Sequence, residues 1–446
     1  MGKDRFVVNP FGDLQLSDAD KEGLRDLAIN FIDRNIQKYE AFIGSDGAKV
    51  DQKKWKLVKS KDDARVYLER DPAVLTTTAG FKVDHPELLM TGITWGTVDD
   101  CMFGAVNPTL ESMRIRASYV EDMSGGALLA CLDEPTAEDP FKSLNVKWME
   151  IDLPFSSTSL VKNRDYVFLE CTKIVRLSNG ERVGVMIMHS VGFPVTKRLP
   201  GRVRGNITVC TIFRQIGPDT IELYGSGIID AGGEVIKSLV VPSIASGYLS
   251  TLKYAHCSKM KKMTWMLAKR YAMAKELGAP TRPSVCVTCT TPISKVRMGD
   301  YGKSESNACK LCVGHFCRSC RIQRKLTFVG SDMQLEQRKV SFCGLCLQQV
   351  RTMSPMEVAR EHAVGSTAMP DSSYASTTSE IETAMVQRCD SAPYASLSST
   401  GTSNNKYTID VRSGLEHFTQ QTPRALAREI SSVPSICIWC TVDTGT

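Results

Sequence analysis

The chain reads as an α+β protein, and three observations carry that reading. An amphipathic helix opens it, a run of long alternating segments joined by short turns fills its middle, and one long helical stretch precedes eight cysteines in four Cys-x2-Cys pairs. A long antiparallel sheet must bury its concave face. One helix lying in the grip of a curved sheet does this and leaves room for a cavity between them. The expected architecture is a curved antiparallel sheet around a long C-terminal helix, followed by a small metal-held module and a disordered tail.

Composition sets the bounds. With 446 residues there is room for one large domain and smaller ones, and 42% hydrophobic residues is ordinary for a globular chain. A formal charge of +6 is mild for this length: it admits an anionic membrane surface as partner and does not argue for nucleic acid. Residues Met1–Leu14 contain Asp4 and Asp13 and no apolar run, so no secretory leader is expected. Met1-Gly2 is not followed by the Ser or Thr that myristoylation wants, because residue six is Phe6. The apolar stretch Ser238–Leu252 is short and broken by Pro242 and Gly247, so no membrane span is expected. A reducing, cytoplasmic setting fits thiols kept free for metal, with peripheral attachment to endosomal or other membranes.

In order along the chain, Asp18–Ile43 has helical spacing of Leu24, Leu27, Ala28, Phe31, Ile32 and Ile36, with Ser17 as cap and Asp18 and Asp20 in the first turn. Trp55–Glu69 alternates about a turn near Lys59–Ala64 and predicts a hairpin; Leu88–Trp95 predicts a strand. Thr97 with Asp100 predicts a capped short helix through Ala105, stopped by Asn107-Pro108. Six strands follow: Ala127–Leu132, Ser143–Leu153, Tyr166–Leu177, Arg182–Val191, Arg204–Ile216 and Thr220–Ile229. A helix over Glu234–Leu277, weakened around Pro242 and Gly247, closes the first domain, which is bounded at 18–277.

Three residue groups in this domain resemble the START-type lipid-transfer domain, whose fold is the helix grip. They are Leu153-Pro154-Phe155 leading to Asn163-Arg164-Asp165-Tyr166-Val167, then Arg202-Val203-Arg204-Gly205, then Asp230-Ala231-Gly232-Gly233 ahead of the last helix. The resemblance implies a cavity for one lipid or other hydrophobic ligand, closed by that helix. Its apolar face offers Leu239, Ile244 and Tyr248 as cavity and lid residues. Arg164 and Asp165 either form a buried ion pair that fixes the sheet or orient a polar head group. The helix continues into Lys259, Lys261, Lys262, Lys269, Arg270 and Lys275, interleaved with Met263, Trp265, Met266 and Leu267. It is a solvated helix face, or one lying on an anionic membrane.

The cysteine module spans 283–350 and spaces its ligands Cys-x2-Cys-x19-Cys-x2-Cys-x4-Cys-x2-Cys-x22-Cys-x2-Cys. Thiolate pairs at this spacing hold tetrahedral zinc, and four pairs make two complete sites. Only four residues separate Cys312 from Cys317, so the pairs interleave: one with three, two with four. The pattern resembles a FYVE-type finger, with His315-Phe316-Cys317 before the third pair and Ile293 four residues after Cys289. By that resemblance Cys286, Cys289, Cys317 and Cys320 ligate one zinc in a cross-brace, and Cys309, Cys312, Cys343 and Cys346 the other. That family reads phosphatidylinositol 3-phosphate with a basic cluster before its third cysteine. Here the stretch is Glu305-Ser306-Asn307-Ala308-Cys309-Lys310, which leaves Lys310 and, near the third pair, Arg318 as head-group contacts. A RING finger would use a histidine ligand, and eight cysteines leave His315 redundant.

From about Ser354 to Thr446 the chain turns Ser/Thr-rich and is expected to be mostly disordered. Cys437 and Cys440 lack a partner pair nearby. No phosphate loop or nucleophile–base pattern points to an enzyme. The expected function is lipid binding by a START-like domain, with a zinc finger for membrane or partner docking. The alternative is a protein-interaction adaptor whose helix-grip core is filled.

Overall fold

The computed structural model describes residues 6–12, 14–44, 47–71, 75–76, 82–83, 86–120, 123–152, 162–232, 237–277, 285–293, 308–330 and 334–365. A short strand β1 (Val7–Val8) precedes helix α1 (Asp18–Gly44). Hairpin β2 (Trp55–Lys61) and β3 (Ala64–Glu69) follows, then the two-residue strands β4 (Leu75–Thr76) and β5 (Lys82–Val83), and β6 (Leu88–Trp95). Two helices, α2 (Val98–Ala105) and α3 (Leu110–Tyr119), separate these from β7 (Gly125–Asp133), β8 (Ser143–Ile151), β9 (Asn163–Arg176) and β10 (Arg182–Ser190). The large sheet is completed by β11 (Arg202–Arg204), β12 (Asn206–Gly217) and β13 (Thr220–Asp230). Helices α4 (Lys237–Ser250) and α5 (Tyr254–Leu277) lead to the cysteine module, with hairpin β14 (Ile322–Val329) and β15 (Leu335–Phe342) and helices α6 (Gly344–Thr352) and α7 (Pro355–Gly365).

The sheet runs β1-β7-β8-β9-β10-β12-β13-β6-β3-β2, with β11 joined to β9. Neighbours are antiparallel except β1 with β7 and β11 with β9. Strand alternation gives the sheet two apolar faces. Val167, Leu169, Val185 and Ile212 join Leu24, Ala28, Ile32 and Tyr39 of α1 on one side. Met90, Met186, Phe213 and Leu223 pack against α2, α4 and α5 on the other. Of the apolar stripe expected on α1, Leu24, Ala28 and Ile32 are buried and Leu27, Phe31 and Ile36 half-buried, and the cap is reciprocal: Asp20 N–H donates to Ser17 Oγ (3.1 Å) and Ser17 N–H to Asp20 Oδ2 (3.0 Å). Thr97 caps α2, its Oγ1 accepting from Asp100 N–H at 3.1 Å and donating to Asp100 Oδ2 at 2.9 Å.

Three expectations differ from the structure. Helix α3 was not foreseen: its Thr109–Ser112 capping box lies just after Pro108, in a segment with a mixed pattern. The last helix is interrupted at Thr251–Lys253, a 3-10 turn, and runs through Pro242, where Ser246 Oγ donates to the Pro242 carbonyl at 2.8 Å. The chain beyond Ser354 does not fall apart at once. α7 carries Val358 and Ala359 into the core shared by α2 and α5, and Glu357 N–H donates to Ser354 Oγ at 3.3 Å. The Ser-Pro-x-Glu start of that helix was present in the sequence as a cap with proline at its first position. The remaining tail, with Cys437 and Cys440, lies outside the described residues.

Two lysines of helix α5 do not lie on the solvated or membrane-facing face that the sequence implied. Lys262 is 2% exposed and donates to Asp100 Oδ1 (3.0 Å) and the Met353 carbonyl (3.2 Å). Lys261 donates to the carbonyls of Phe103 (2.8 Å) and Val106 (2.7 Å), capping the end of α2. Tertiary contacts therefore absorb two of these cations. Where α2 crosses the start of α5, a Cβ on Gly104 would sit 1.9 Å from the Tyr254 carbonyl oxygen. Gly104→Ala must push the helices apart and is expected to cost about 1–3 kcal/mol; a denaturant melt of the full chain checks this.

Candidate functional site

The cysteines meet in two groups: Cys286, Cys289, Cys317 and Cys320, and Cys309, Cys312, Cys343 and Cys346. In each, all four Sγ atoms lie within 4.8 Å of one another. Pairs one and three thus come together, as do pairs two and four. Cys289 and Cys317 Sγ are 3.8 Å apart, as are Cys312 and Cys343. A disulfide needs about 2.05 Å. A zinc tetrahedron with metal–sulfur bonds of about 2.3 Å has an S···S edge of roughly 3.8 Å. The donor set and its spacing fit a tetrahedral metal at each centre.

Local geometry explains why the sequence folds this way. The first and second pairs build the same turn twice. Thr290 N–H donates to the Cys286 carbonyl (2.9 Å) and Val313 N–H to the Cys309 carbonyl (2.8 Å). Thr290 and Val313 both sit at φ +58°, a conformation β-branched residues disfavour. The cross-brace holds that strain, and Val287 N–H donating to the His315 carbonyl (2.8 Å) links the two turns. In the last pair Cys343 caps α6 and accepts from Cys346 N–H at 3.4 Å, so the helix N-terminus favours the thiolate. His315 belongs to neither group. Lys310 follows Cys309 of the second centre, and exposed Arg318 follows Cys317 of the first. The two expected head-group residues thus flank different centres.

The cysteine module does not close its own core. Met260, Met263 and Met266, three and six residues apart on α5, pack with Leu311, Phe316, Leu326, Phe342, Leu347 and Val350. Ser118 Oγ donates to Thr327 Oγ1 (2.9 Å), and Tyr119 Oη accepts from Thr327 N–H (2.6 Å), fixing β14 to the end of α3.

The second feature is a cavity of about 160 Å³ between the sheet and the helices. Met186, Met188, Ile207, Val209 and Ile229 form the sheet side, and Ile244 and Tyr248 the α4 side. Tyr248 is 5% exposed and its hydroxyl has no hydrogen-bond partner among the described residues. The Leu239 side chain lies outside the described residues. Arg164 and Asp165 do not line the cavity and do not pair with each other. Adjacent residues on a strand point to opposite faces. Asp165 Oδ2 accepts from Trp148 Nε1 (3.0 Å) and Arg204 Nη2 (2.7 Å) on the α1 side. Arg164 Nε donates to the Ala231 carbonyl (2.9 Å) and thereby holds the turn ahead of α4.

The charged group that does reach the cavity is Arg116 on α3. Behind it lies a buried network. Lys147 Nζ donates to the Asn107 carbonyl and Oδ1, both at 2.7 Å, and to Glu170 Oε1. Asn107 Nδ2 donates to Glu170 Oε1 (3.0 Å) and Arg116 Nη1 to Glu170 Oε2 (3.2 Å). Lys147 and Glu170 are 0% and 1% exposed. Burial pushes the Lys147 ammonium down to about 8 against the pull of Glu170. Burial alone would raise Glu170, but the Lys147 and Arg116 charges outweigh it and hold the carboxyl below its ordinary range. Two cations face one carboxylate, so the network leaves an excess positive charge at the cavity wall. Sequence reading missed this site. The available signal was a lysine and a glutamate, each in the middle of an apolar strand, Ser143–Ile151 and Asn163–Arg176.

No family model matches the chain, and no curated protein matches it. Among solved structures it is similar to human StAR-related lipid transfer protein 5 (TM-score 0.37, 16% identity, covering 53% of this chain and 97% of that one). It is also similar to human STARD10 (TM-score 0.34, 13% identity, 55% and 83%) and to a STAR-related lipid transfer protein fragment from Xanthomonas axonopodis (TM-score 0.33, 16% identity, 46% and 98%).

Two outcomes follow. Metal analysis of the full chain should give two ions, and a strong chelator should lower the melting midpoint of the whole chain, because each centre contributes on the order of 10 kcal/mol. A count other than two overturns the ligand grouping. Glu170→Gln strands two buried cations and should cost about 3–5 kcal/mol. Because the folded Glu170 carboxyl titrates below its ordinary value, its contribution is complete above that value and lost as pH falls through the folded one. Acid denaturation curves of the variant should be correspondingly flatter.

Proposed function

We propose that the first domain is a START-like lipid-binding domain whose cavity takes a hydrophobic molecule with its polar end toward Arg116. The observation that carries this is a methionine- and isoleucine-lined cavity whose wall holds a guanidinium with excess positive charge behind it. Buried charge without a full counter-charge is costly, and an oxygen-bearing end group would relieve it. The Tyr248 hydroxyl, without a partner among the described residues, offers a second polar contact.

Arg116 acts by holding that end group, Lys147 and Glu170 hold Arg116, and the methionines adapt to the chain of the ligand. At about 160 Å³ the cavity is smaller than the ~300–1,000 Å³ usual for small-molecule pockets, so the lid must move for a whole lipid to enter. The 3-10 turn Thr251–Lys253 separates α4, which covers the cavity, from α5, which the finger holds fast. In this reading α4 swings about that turn while α5 stays in place. The eight cysteines hold two zinc ions, and the FYVE-like finger serves docking, with Lys310 and Arg318 as its head-group residues. The reading is non-catalytic.

The same small volume favours a second reading, in which the core is filled and the chain is a protein-interaction adaptor. Native mass spectrometry of protein purified from cells separates the two. A co-purifying lipid, reduced several-fold in Arg116→Met and in Ile244→Trp, is expected; a clean apo mass in the parent chain favours the adaptor.

A further inference from the structure

The seam between the body and the finger gathers cations from both. From the 3-10 turn into the start of α5, Lys253, His256 and Lys259 recur every three residues; His256 is exposed and the two lysines are half-buried. Hairpin β14–β15 brings Arg324 to them. Arg324 and Leu326 share one face of β14, and Leu326 packs with Met260 and Met263 of α5, so Arg324 faces the same helix one step along. Tyr119 fixes the approach: its hydroxyl is bonded to Thr327 of β14, and its ring meets the His256 ring at 6.1 Å. On the opposite face of the hairpin, the one whose Thr327 meets α3, the register sets exposed Lys325 directly opposite exposed Lys339, which adds to the charge of the hairpin without facing α5.

Among the described residues, no carboxylate forms an ion pair with Lys253, Lys259, Arg324, Lys325 or Lys339. Like charges directly opposite on a hairpin destabilise it. Partial desolvation of the exposed ring, and then the surrounding Lys259, Arg324 and Lys253, push the His256 imidazole below its usual range; burial, Arg324 and Arg351 do the same to Lys259 against the pull of Asp100. The fold tolerates this repulsion instead of neutralising it, which leaves a concentrated positive field.

We propose that this composite seam is the face that rests on an anionic lipid bilayer. Charge complementarity requires a surface dense in phosphate or carboxylate. The position of the seam selects a bilayer: Lys253 Nζ donates to the Val120 carbonyl (2.6 Å), and Val120 and Thr251 also line the cavity. A membrane on the seam therefore meets the cavity rim and the hinge of α4 together. The choice of a bilayer rests on the lipid-binding reading; the positive seam itself does not. Both halves of the seam are needed, because α5 belongs to the body and β14–β15 to the finger.

The test is co-sedimentation of the full chain with phosphatidylcholine vesicles, with and without phosphatidylserine, at low and high salt. Wild type should bind only the anionic vesicles and release with salt. Lys259→Glu/Arg324→Glu and, separately, the milder Lys259→Gln/Arg324→Gln should each weaken binding, the first at least about tenfold. The exposed control pair Lys53→Glu/Lys56→Glu, matched in charge, should change it little. Thermal melts confirm folding of each variant. Equal weakening by the control pair, wild-type binding by both seam variants, or no anionic binding by wild type overturns the proposal. Retention of an RNA oligonucleotide by the same cations, without vesicle binding, overturns it in favour of another partner. Cargo is read separately by mass spectrometry, so an empty cavity removes the lipid-carrier reading without altering the vesicle result.

Discussion

Met260, Met263 and Met266 tie the molecule together, because two cores depend on the helix that bears them. A two-centre cysteine module of this size has little apolar surface to bury. The three thioether side chains of α5 supply what Leu326, Phe316 and Phe342 lack. The other side of the same helix, through Tyr254 and Cys257, packs into the core of the large sheet. α7 then returns from the finger to that core with Val358 and Ala359. The finger is thus clamped at its start and its end, and α5 is the rigid element of the body. α4, beyond a 3-10 break, is joined to α5 but not clamped by the finger.

This arrangement gives the buried lysines their meaning. Lys261 and Lys262 interleave with the methionines, and a helix packed on several sides has no solvent for them. They reach the end of α2 and Asp100 instead, turning desolvated charges into caps and pairs. The cations that are left, around His256, Lys259 and Arg324, stay at the rim where the two bodies meet. Deeper in, Lys147 and Arg116 share Glu170, and the surplus charge reaches the cavity. Burying charge without full compensation costs stability.

Much of the fold was legible in residue order. The α1 stripe, the Thr97 cap, the hairpin at Trp55–Glu69 and the six long strands follow from local periodicity and turn chemistry, which neighbours along the chain decide. The grouping of the cysteines was legible for the same reason: pair spacing and a four-residue gap constrain which thiolates can converge. Arg164 and Asp165 were misjudged because adjacency in sequence was taken for adjacency in space, whereas a strand sends neighbours to opposite faces. Lys261 and Lys262 were misplaced because one helix's composition does not reveal what packs on it. α7 was visible in its cap, yet was read with the tail that follows.

The sequence by itself determined most of the ladder of elements and the interleaved grouping of the cysteines, both properties of short-range spacing. Only the tertiary structure decided that Arg116, Lys147 and Glu170, drawn from a helix and two strands, meet at one cavity wall. It also decided that Arg324 comes beside Lys259, and that one helix serves two cores. Those contacts join residues tens to more than a hundred positions apart. They exist because the sheet brings Lys147 and Glu170 to one face while α3 and hairpin β14–β15 are pressed onto α5, a geometry that no local pattern encodes.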